Sequence, residues 1–233
     1  MNEIRLQDAI KSCPTLVSAD VDKLSKIGKV VEFNSGEIII YDKDIESNLY
    51  FVINGVVSLY KLNMYGGKKA IFLLGEGKAV NEAILSDKIS SIFVKSMSDV
   101  TLLSFNREKF NKYLLEDPST ALKLLESMSL KLRRLYHQLK NTCKSYKLDK
   151  QIASKLWKLG KDFGIRCSNN TQVRIRFKLS INELSDLMGA TRESVGKSLK
   201  ILVSKNLISI KNGYFFITDI EELRKYSLHP KVN

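Results

Sequence analysis

Cysteine and histidine are scarce in this sequence: three and two residues among 233. Cys13, Cys143 and Cys167 never fall at C-x-x-C spacing, and an odd, scattered set does not make a disulfide framework. His137 and His229 stand far apart, so neither a His-rich metal centre nor a Cys/His zinc finger is available. The chain has no apolar run of about 18 residues, the length a membrane-spanning helix needs. Met1 to Ala9 mixes polar and apolar residues without a basic region and an apolar core, so it does not read as a secretory signal, and the expected location is the cytoplasm. Acidic residues are scarce in one half only. From Ser119 to Asn233 there are 23 Lys/Arg and 9 Asp/Glu, a net of +14, whereas the preceding 118 residues carry 15 and 16. A neutral half joined to a strongly basic one is the electrostatic footprint of polyanion binding.

The pattern along the chain changes three times. Residues 1 to about 28 read as short helices, with Asp20 capping a turn that carries Val21, Leu24 and Ile27. From Val30 to Phe105 come short β-rich runs: Val30–Phe33, Ile38–Tyr41, Leu49–Ile53, Val56–Leu62, Lys69–Leu73, Ile92–Ser96 and Leu102–Phe105. Turn signals at Asn34-Ser35-Gly36, Asn54-Gly55 and Tyr65-Gly66-Gly67 separate them, which predicts a sandwich or roll. A long helix follows, with Pro118 in its first turn and Asp117 as cap. Leu125, Met128, Leu132, Leu135, Leu139, Thr142 and Tyr146 recur at alternating spacings of 3 and 4, a seam of about three heptads. Lys131, Arg133, Arg134 and Lys140 flank it. Leu122, Leu124 and Leu130 form a second apolar set. One face is therefore expected to pack on the roll and the other to meet a partner helix in a parallel homodimer. Past Tyr146-Lys147-Leu148, Asp149 is expected to cap a further helix lined by Ile152, Leu156 and Leu159. Gly160 and Gly164 weaken its end, Asn169-Asn170 turns the chain, and Val173–Phe177 alternates as an exposed strand does.

The most informative segment comes next. Ser180-Ile181-Asn182-Glu183 is a capping box. Leu184 and Leu187 follow at core spacing, and Met188-Gly189-Ala190 closes the helix, Gly189 supplying the positive φ of a tight turn. Thr191 caps a second helix with Val195, Leu199 and Leu202 as its buried positions. Two short helices joined in this way make a helix-turn-helix. Arg192, Glu193, Ser194 and Lys197 lie in its first turns, at the end where such helices meet base edges. A guanidinium pairs with guanine O6/N7 and a carboxylate accepts from cytosine N4, while Lys197 reaches guanine or phosphate. Lys200 and Lys205 suit phosphates. Leu207–Ile217 then forms a hairpin around Asn212-Gly213, a wing carrying Lys211.

The sequence resembles the CRP/FNR family of bacterial transcription regulators over nearly its whole length. Gly36-Glu37, Leu49–Gly55 and Gly75-Glu76-Gly77 resemble the spaced glycine motifs of that family's effector-binding roll. Leu184–Gly189 and Thr191–Lys197 are similar to its helix-turn-helix. The resemblance implies an α+β fold: an N-terminal double-stranded β-helix (a jelly-roll-like β-roll), a long dimerisation helix and a C-terminal winged helix-turn-helix. The expected boundaries are 1–117, 118–146 and 147–233. It further implies that Arg192, Glu193 and Lys197 occupy the base-reading positions, on a palindromic operator with TGTGA-like half-sites. Lysine departs from the family's usual third arginine, and it lacks the bidentate fork. RNA polymerase is a further partner if the protein activates; no membrane is involved.

Cyclic-nucleotide-binding members place a glutamate on the ribose and a later arginine on the cyclic phosphate. Here Glu82, Ser90 and Ser91 fall in the corresponding stretch, with Asn81 for the usual glycine and Ser90 for the arginine. A cyclic phosphate without a guanidinium loses its main charge-assisted bonds, which disfavours cyclic AMP. An iron–sulfur cluster of the family's oxygen-sensing kind needs four cysteines and is disfavoured by three. Haem stays open, with His137 and Met64 as candidate axial ligands. A small organic acid, a thiol signal at Cys13 or Cys143, and the absence of any effector stay open too.

Two rivals come from other classes. A cupin-type enzyme would share the roll, but such enzymes hold a metal with clustered histidines and Val30–Phe105 contains none; the expected function is therefore non-enzymatic. A cyclic-nucleotide-responsive module acting on a partner protein would leave the basic half and its helix-turn-helix unexplained.

Overall fold

The computed structural model describes residues 2–86, 88–141, 147–167 and 171–228. The chain divides into two compact units, residues 1–61 with 71–142 and residues 62–70 with 143–233. Thr142 and Tyr146 of the seam, Cys143, the Asn169-Asn170 turn and His229 lie outside the described residues.

The first unit opens with helices α1 (Asn2–Ser12) and α2 (Val21–Ser25). Asp20 caps α2 by accepting from the backbone amide of Lys23 at 3.0 Å. Strands β1 (Gly28–Phe33), β2 (Ile38–Ile40), β3 (Asn48–Asn54), β4 (Val57–Leu62), β5 (Lys68–Leu74), β6 (Phe93–Ser96) and β7 (Val100–Asn106) follow. They order as β1-β7-β3 and β2-β6-β4-β5, and β1 with β7, β3 with β7, β2 with β6 and β4 with β6 all run antiparallel. The β1-β7-β3 sheet is covered on both faces. Leu49, Phe51, Leu103 and Phe105 pack against the helices, while Tyr50, Val52, Val100 and Leu102 pack against Leu59, Phe72 and Val94 of the other sheet. Two-sided burial is why Leu49–Ile53 reads as an unbroken apolar run and not as an alternating strand. The rings of Phe51, Phe105 and Phe110 meet at centroid distances of 5.2 to 5.9 Å in the helical layer.

Helices α3 (Arg107–Glu116) and α4 (Pro118–Asn141) complete this unit. Asp117 between them caps α4 as expected: its carboxylate accepts from the amides of Ser119 and Thr120 at 3.1 and 3.2 Å, from both their hydroxyls, and from Tyr113 Oη. Of the second apolar set on α4, only Leu124 is buried; Leu122 and Leu130 are exposed. The contact with the roll is carried by Leu124, by Leu135 of the seam and by polar groups: Lys131 with Glu82, and Gln138 Nε2 donating to the Ile71 carbonyl at 2.9 Å.

The second unit contains α5 (Leu148–Phe163), β8 (Gly164–Arg166), β9 (Val173–Ile175), α6 (Ile181–Met188), α7 (Arg192–Ser204), β10 (Ile208–Lys211), β11 (Tyr214–Ile217) and α8 (Ile220–Leu228). The strands order as β10-β11-β9-β8. Asp149 is not the cap of α5. Lys147 holds that place without a side-chain bond, and Asp149 sits buried in the first turn, where it accepts from Tyr226 Oη of α8. Burial, with Asp149 adding to it, pushes the Tyr226 hydroxyl up to about 12. Strand β9 is shorter than the expected Val173–Phe177 and is half-buried, Val173 and Ile175 facing inward. The α+β architecture of roll, long helix and winged helix-turn-helix is the expected one.

Candidate nucleic-acid interface

The capping box is formed in full. Glu183 N donates to Ser180 Oγ at 3.1 Å and Ser180 N to Glu183 Oε2 at 2.9 Å. This satisfies amides that the start of α6 would otherwise leave open. Gly189 ends α6 at φ 64°, ψ 38°, and its amide donates back to Ser185 O at 2.8 Å. A side chain would be strained in that left-handed conformation, so glycine is what lets α7 start within three residues. Thr191 then caps α7, accepting from Ser194 N at 3.2 Å and donating to Ser194 Oγ at 2.9 Å.

Helix α7 is divided cleanly. Val195, Ser198, Leu199 and Leu202 are buried. Thr191, Arg192, Glu193, Ser194, Lys197 and Lys200 are exposed. Arg192, Glu193, Gly196, Lys197 and Lys200 fall at i, i+1, i+4, i+5 and i+8, one stripe along the outer face. Lys197 Nζ pairs with Glu193 Oε1 at 2.7 Å across one turn, with both side chains about three-quarters exposed. Such an exposed pair is worth about 0.3–0.5 kcal/mol, little enough that either group can exchange its partner for a ligand. Among the described residues, no atom beyond the neighbouring residues and the helix's own backbone lies within 4 Å of where a Gly196 Cβ would be, so the middle of the stripe is bare backbone.

The wing turns through Asn212 (φ 51°) and Gly213 (φ 81°), the two positive values of a type I′ hairpin. Its Gly213 carbonyl accepts from Leu179 N at 3.0 Å, tying the wing tip to the residue before the α6 cap. Lys211 is exposed on this hairpin. Lys205 stands apart from the stripe, at the C-terminal cap of α7 with its ammonium 5.7 Å from the Tyr226 ring centroid. Reasoning from sequence missed Arg174 and Lys178, which approach the Tyr214 ring at 5.0 and 5.9 Å. The signal was present in the basic alternation of Val173–Lys178, but nothing local identified the aromatic partner.

Of the positions considered for an effector, Cys13, Glu82, Ser90, Ser91 and His137 lie in the first unit and Met64 in the second. Glu82 is buried, and Lys131 donates to its Oε2 at 2.5 Å. Ser90 is buried as well, its hydroxyl donating to Ile92 O at 2.9 Å within its own loop, while Ser91 is exposed. Glu82 is thus paired inside the protein and Ser90 is bonded locally. His137 and Met64 are exposed side chains. Cys13 is buried, and desolvation pushes its thiol up to about 11. That shift disfavours the thiolate, the reactive form of a cysteine. Along α4, Leu125, Met128 and Leu132 are 58, 40 and 48% exposed, a linear apolar face, while Leu135 packs partly on the roll core. No helix among the described residues is long and apolar enough to cross a membrane.

Comparison with known proteins finds two domain families in succession along the chain. Residues 30–117 match the model of the cyclic nucleotide-binding domain and residues 150–226 that of the Crp-like helix-turn-helix domain. A CRP-like cAMP-activated global transcriptional regulator of Mycobacterium tuberculosis is 23% identical over 205 residues, 87% of this chain and 89% of that one. A global nitrogen regulator of Nostoc is 27% identical over 185 residues, covering 78% and 82% of the two chains. A transcriptional regulator of the CRP/FNR family from Thermus thermophilus shares the fold with a TM-score of 0.73 at 21% identity, over 87% of this chain and 100% of that one.

Proposed function

This chain belongs to the CRP/FNR family of DNA-binding transcription regulators, and we propose that it works as a homodimer on a palindromic operator with TGTGA-like half-sites. In this reading Arg192 and Glu193 read base edges and Lys197 reads guanine or a neighbouring phosphate. Thr191, Ser194, Lys200, Lys205 and Lys211 hold the backbone. The observation that carries the proposal is the exposed stripe of α7, which starts at a side-chain-capped N-terminus and has bare backbone at Gly196. A helix that projects charge there, with its apolar side fixed in a core, is the element that enters a major groove. Exposure of Leu125, Met128 and Leu132 at heptad spacing supports a second copy as the partner of α4. A dimer of identical readers requires a two-fold symmetric site.

Control of this activity is assigned to an unidentified effector of the roll. Such a ligand acts only if it binds the DNA-competent arrangement better than the other. Cyclic AMP, the activator of the mycobacterial relative, is not carried over: Ser90, where the resemblance calls for a phosphate-binding arginine, offers no positive charge and its hydroxyl is already bonded to Ile92. RNA polymerase is the further partner where the operator lies at an activated promoter. Selection of binding sites from random duplex DNA tests the reading. A palindrome with half-sites of this type is expected, and enrichment of an unrelated or non-palindromic motif would overturn it. Absorption and mass spectra of protein purified without oxygen test the effector arm, a Soret band identifying haem and a co-purified small molecule identifying a pocket ligand.

A further inference from the structure

Helix α5 carries Lys150, Lys155, Lys158 and Lys161, and base reading by α7 uses none of them. Lys155 stands three residues after Ile152 and four before Leu159, which are both buried. It therefore rises at the edge of the helix's apolar face, and it is half-buried. Lys158 is one turn further along the same helix. Lys69 comes from the hairpin tip Leu62–Ala70, which belongs to the same compact unit as α5. Its ammonium lies 2.6 Å from where a Gly189 Cβ would be, at the turn that leads into α7.

The electrostatics around Lys155 are one-sided. Lys69 and Lys158 repel it, and the acid that attracts it, Asp162, is already paired with Lys158 Nζ at 3.4 Å. Among the described residues no carboxylate pairs with Lys155 itself. Burial, with the two lysines adding to it, pulls its ammonium down to about 8. A desolvated amine beside other cations is the activated form of a lysine nucleophile, whereas a solvated lysine keeps its proton to about pH 10.4. The same neighbours select the electrophile. Ammonium groups donate and cannot accept, so Lys69 and Lys158 draw in an anion, and a phosphoryl group takes charge-assisted bonds from both. The Lys158–Asp162 pair is exposed and weak enough to exchange partners.

We propose that Lys155 is a modification site, acylated by a small acyl phosphate whose phosphoryl group is held by Lys69 and Lys158. The amine lone pair attacks the acyl carbon, and the new C–N bond replaces the C–O bond to the phosphoryl oxygen. Phosphate leaves with that electron pair, and one proton of the nitrogen passes to the departing phosphate. The product is an uncharged amide. Its formation relieves the repulsion on Lys69 beside the turn into α7, so the charge next to the DNA-reading helix comes under the control of an acyl donor. This chemistry belongs to α5 and the hairpin tip, and it stands whether or not α7 reads bases.

The test treats the full chain with acetyl phosphate and, separately, with the uncharged acyl donor N-acetoxysuccinimide. Acetylation is followed lysine by lysine by peptide mass spectrometry. With acetyl phosphate near neutral pH, Lys155 is expected to react about tenfold faster than exposed Lys200, because its larger neutral fraction outweighs the lower nucleophilicity of a less basic amine. With the uncharged donor the Lys155 rate should level off above about pH 8, while that of Lys200 keeps rising towards about pH 10. Both measurements use the unsubstituted chain and do not depend on the folding of a variant. K69M, at an exposed position, should move the Lys155 profile to higher pH and slow its reaction with acetyl phosphate more than with the uncharged donor. Added inorganic phosphate should compete with acetyl phosphate alone. A Lys155 profile that matches that of Lys200, or a rate with acetyl phosphate no faster than that of Lys200, overturns the proposal. Effects of K69M and of inorganic phosphate that are equal for both donors overturn it too, since Lys155 would then be a reactive amine that recruits no anion.

Discussion

The ammonium of Lys131, on the long helix, donates to Glu82 Oε2 at 2.5 Å and to the Ala79 carbonyl at 2.7 Å, fastening α4 to the roll. The side chains are only 15% and 6% exposed. Burial pulls the ammonium below the ordinary lysine value, against the attraction of Glu82. The other carboxylate oxygen, Oε1, is buried with no partner among the described residues. Removing the cation would leave a buried carboxylate uncompensated, so K131M is expected to cost about 3–5 kcal/mol in urea unfolding. K131M/E82L, which removes both charges, should regain most of that. A single-variant cost under about 1 kcal/mol would show that the pair is solvated.

Asp117 is the second tie between α4 and what precedes it. Burial acts to raise its carboxyl pKa, but the hydrogen bonds from Tyr113, Ser119 and Thr120 outweigh that and hold it well below the ordinary aspartate range. A depressed native value stabilises the fold above the unfolded pKa, near 3.9, and that stabilisation is lost as pH falls through the native value. Stability should therefore decline below about pH 4, and D117N should flatten that part of the profile while D117A costs about 1–2 kcal/mol at neutral pH as a lost cap. Identical acid limbs for the unsubstituted protein and D117N would contradict this.

These two ties mark the boundary of what the sequence discloses. The helix-turn-helix was legible because its determinants are local: Ser180 and Glu183 cap each other three residues apart, Gly189 takes the left-handed turn, and Asn212-Gly213 closes the hairpin. The Asp117 cap was legible for the same reason. Lys131 and Glu82 lie 49 positions apart, and heptad reading placed Lys131 only on the flank of the seam. Leu122 and Leu130 looked like roll-facing residues because apolar spacing does not say which face a neighbour covers. Asp149 looked like a cap because it stands at a helix start, yet Tyr226, 77 residues later, claims its carboxylate. Local chemistry can be read from spacing, whereas a tertiary pair needs the fold.

Gly196 sits inside α7 with open space around it. Helical glycine is disfavoured by about 0.5–1 kcal/mol relative to alanine. G196A should therefore raise stability by about that amount while weakening operator binding, because the added methyl stands on the face proposed to meet the groove. Calorimetry and a binding titration check the two halves. A more stable variant with undiminished affinity would remove this face from the interface.

Leu132 lies in the middle of the exposed α4 face. L132K places a charge there without disturbing the roll core. Sedimentation should shift from dimer to monomer, and affinity for the full palindrome should fall toward that for one half-site. An unchanged sedimentation coefficient and footprint would rule out α4 as the dimer seam.

The role of Arg192 is measured most directly by titrating R192A against the selected operator and against each of its single-base variants. If Arg192 reads a base, the substitution abolishes discrimination at one position of each half-site, a loss of about 1–3 kcal/mol there, and leaves the other positions selective; K200A, at a proposed phosphate contact, should weaken all sequences alike. If R192A lowers affinity for every sequence by the same factor, α7 holds the DNA backbone without reading it, and sequence recognition by this helix is refuted.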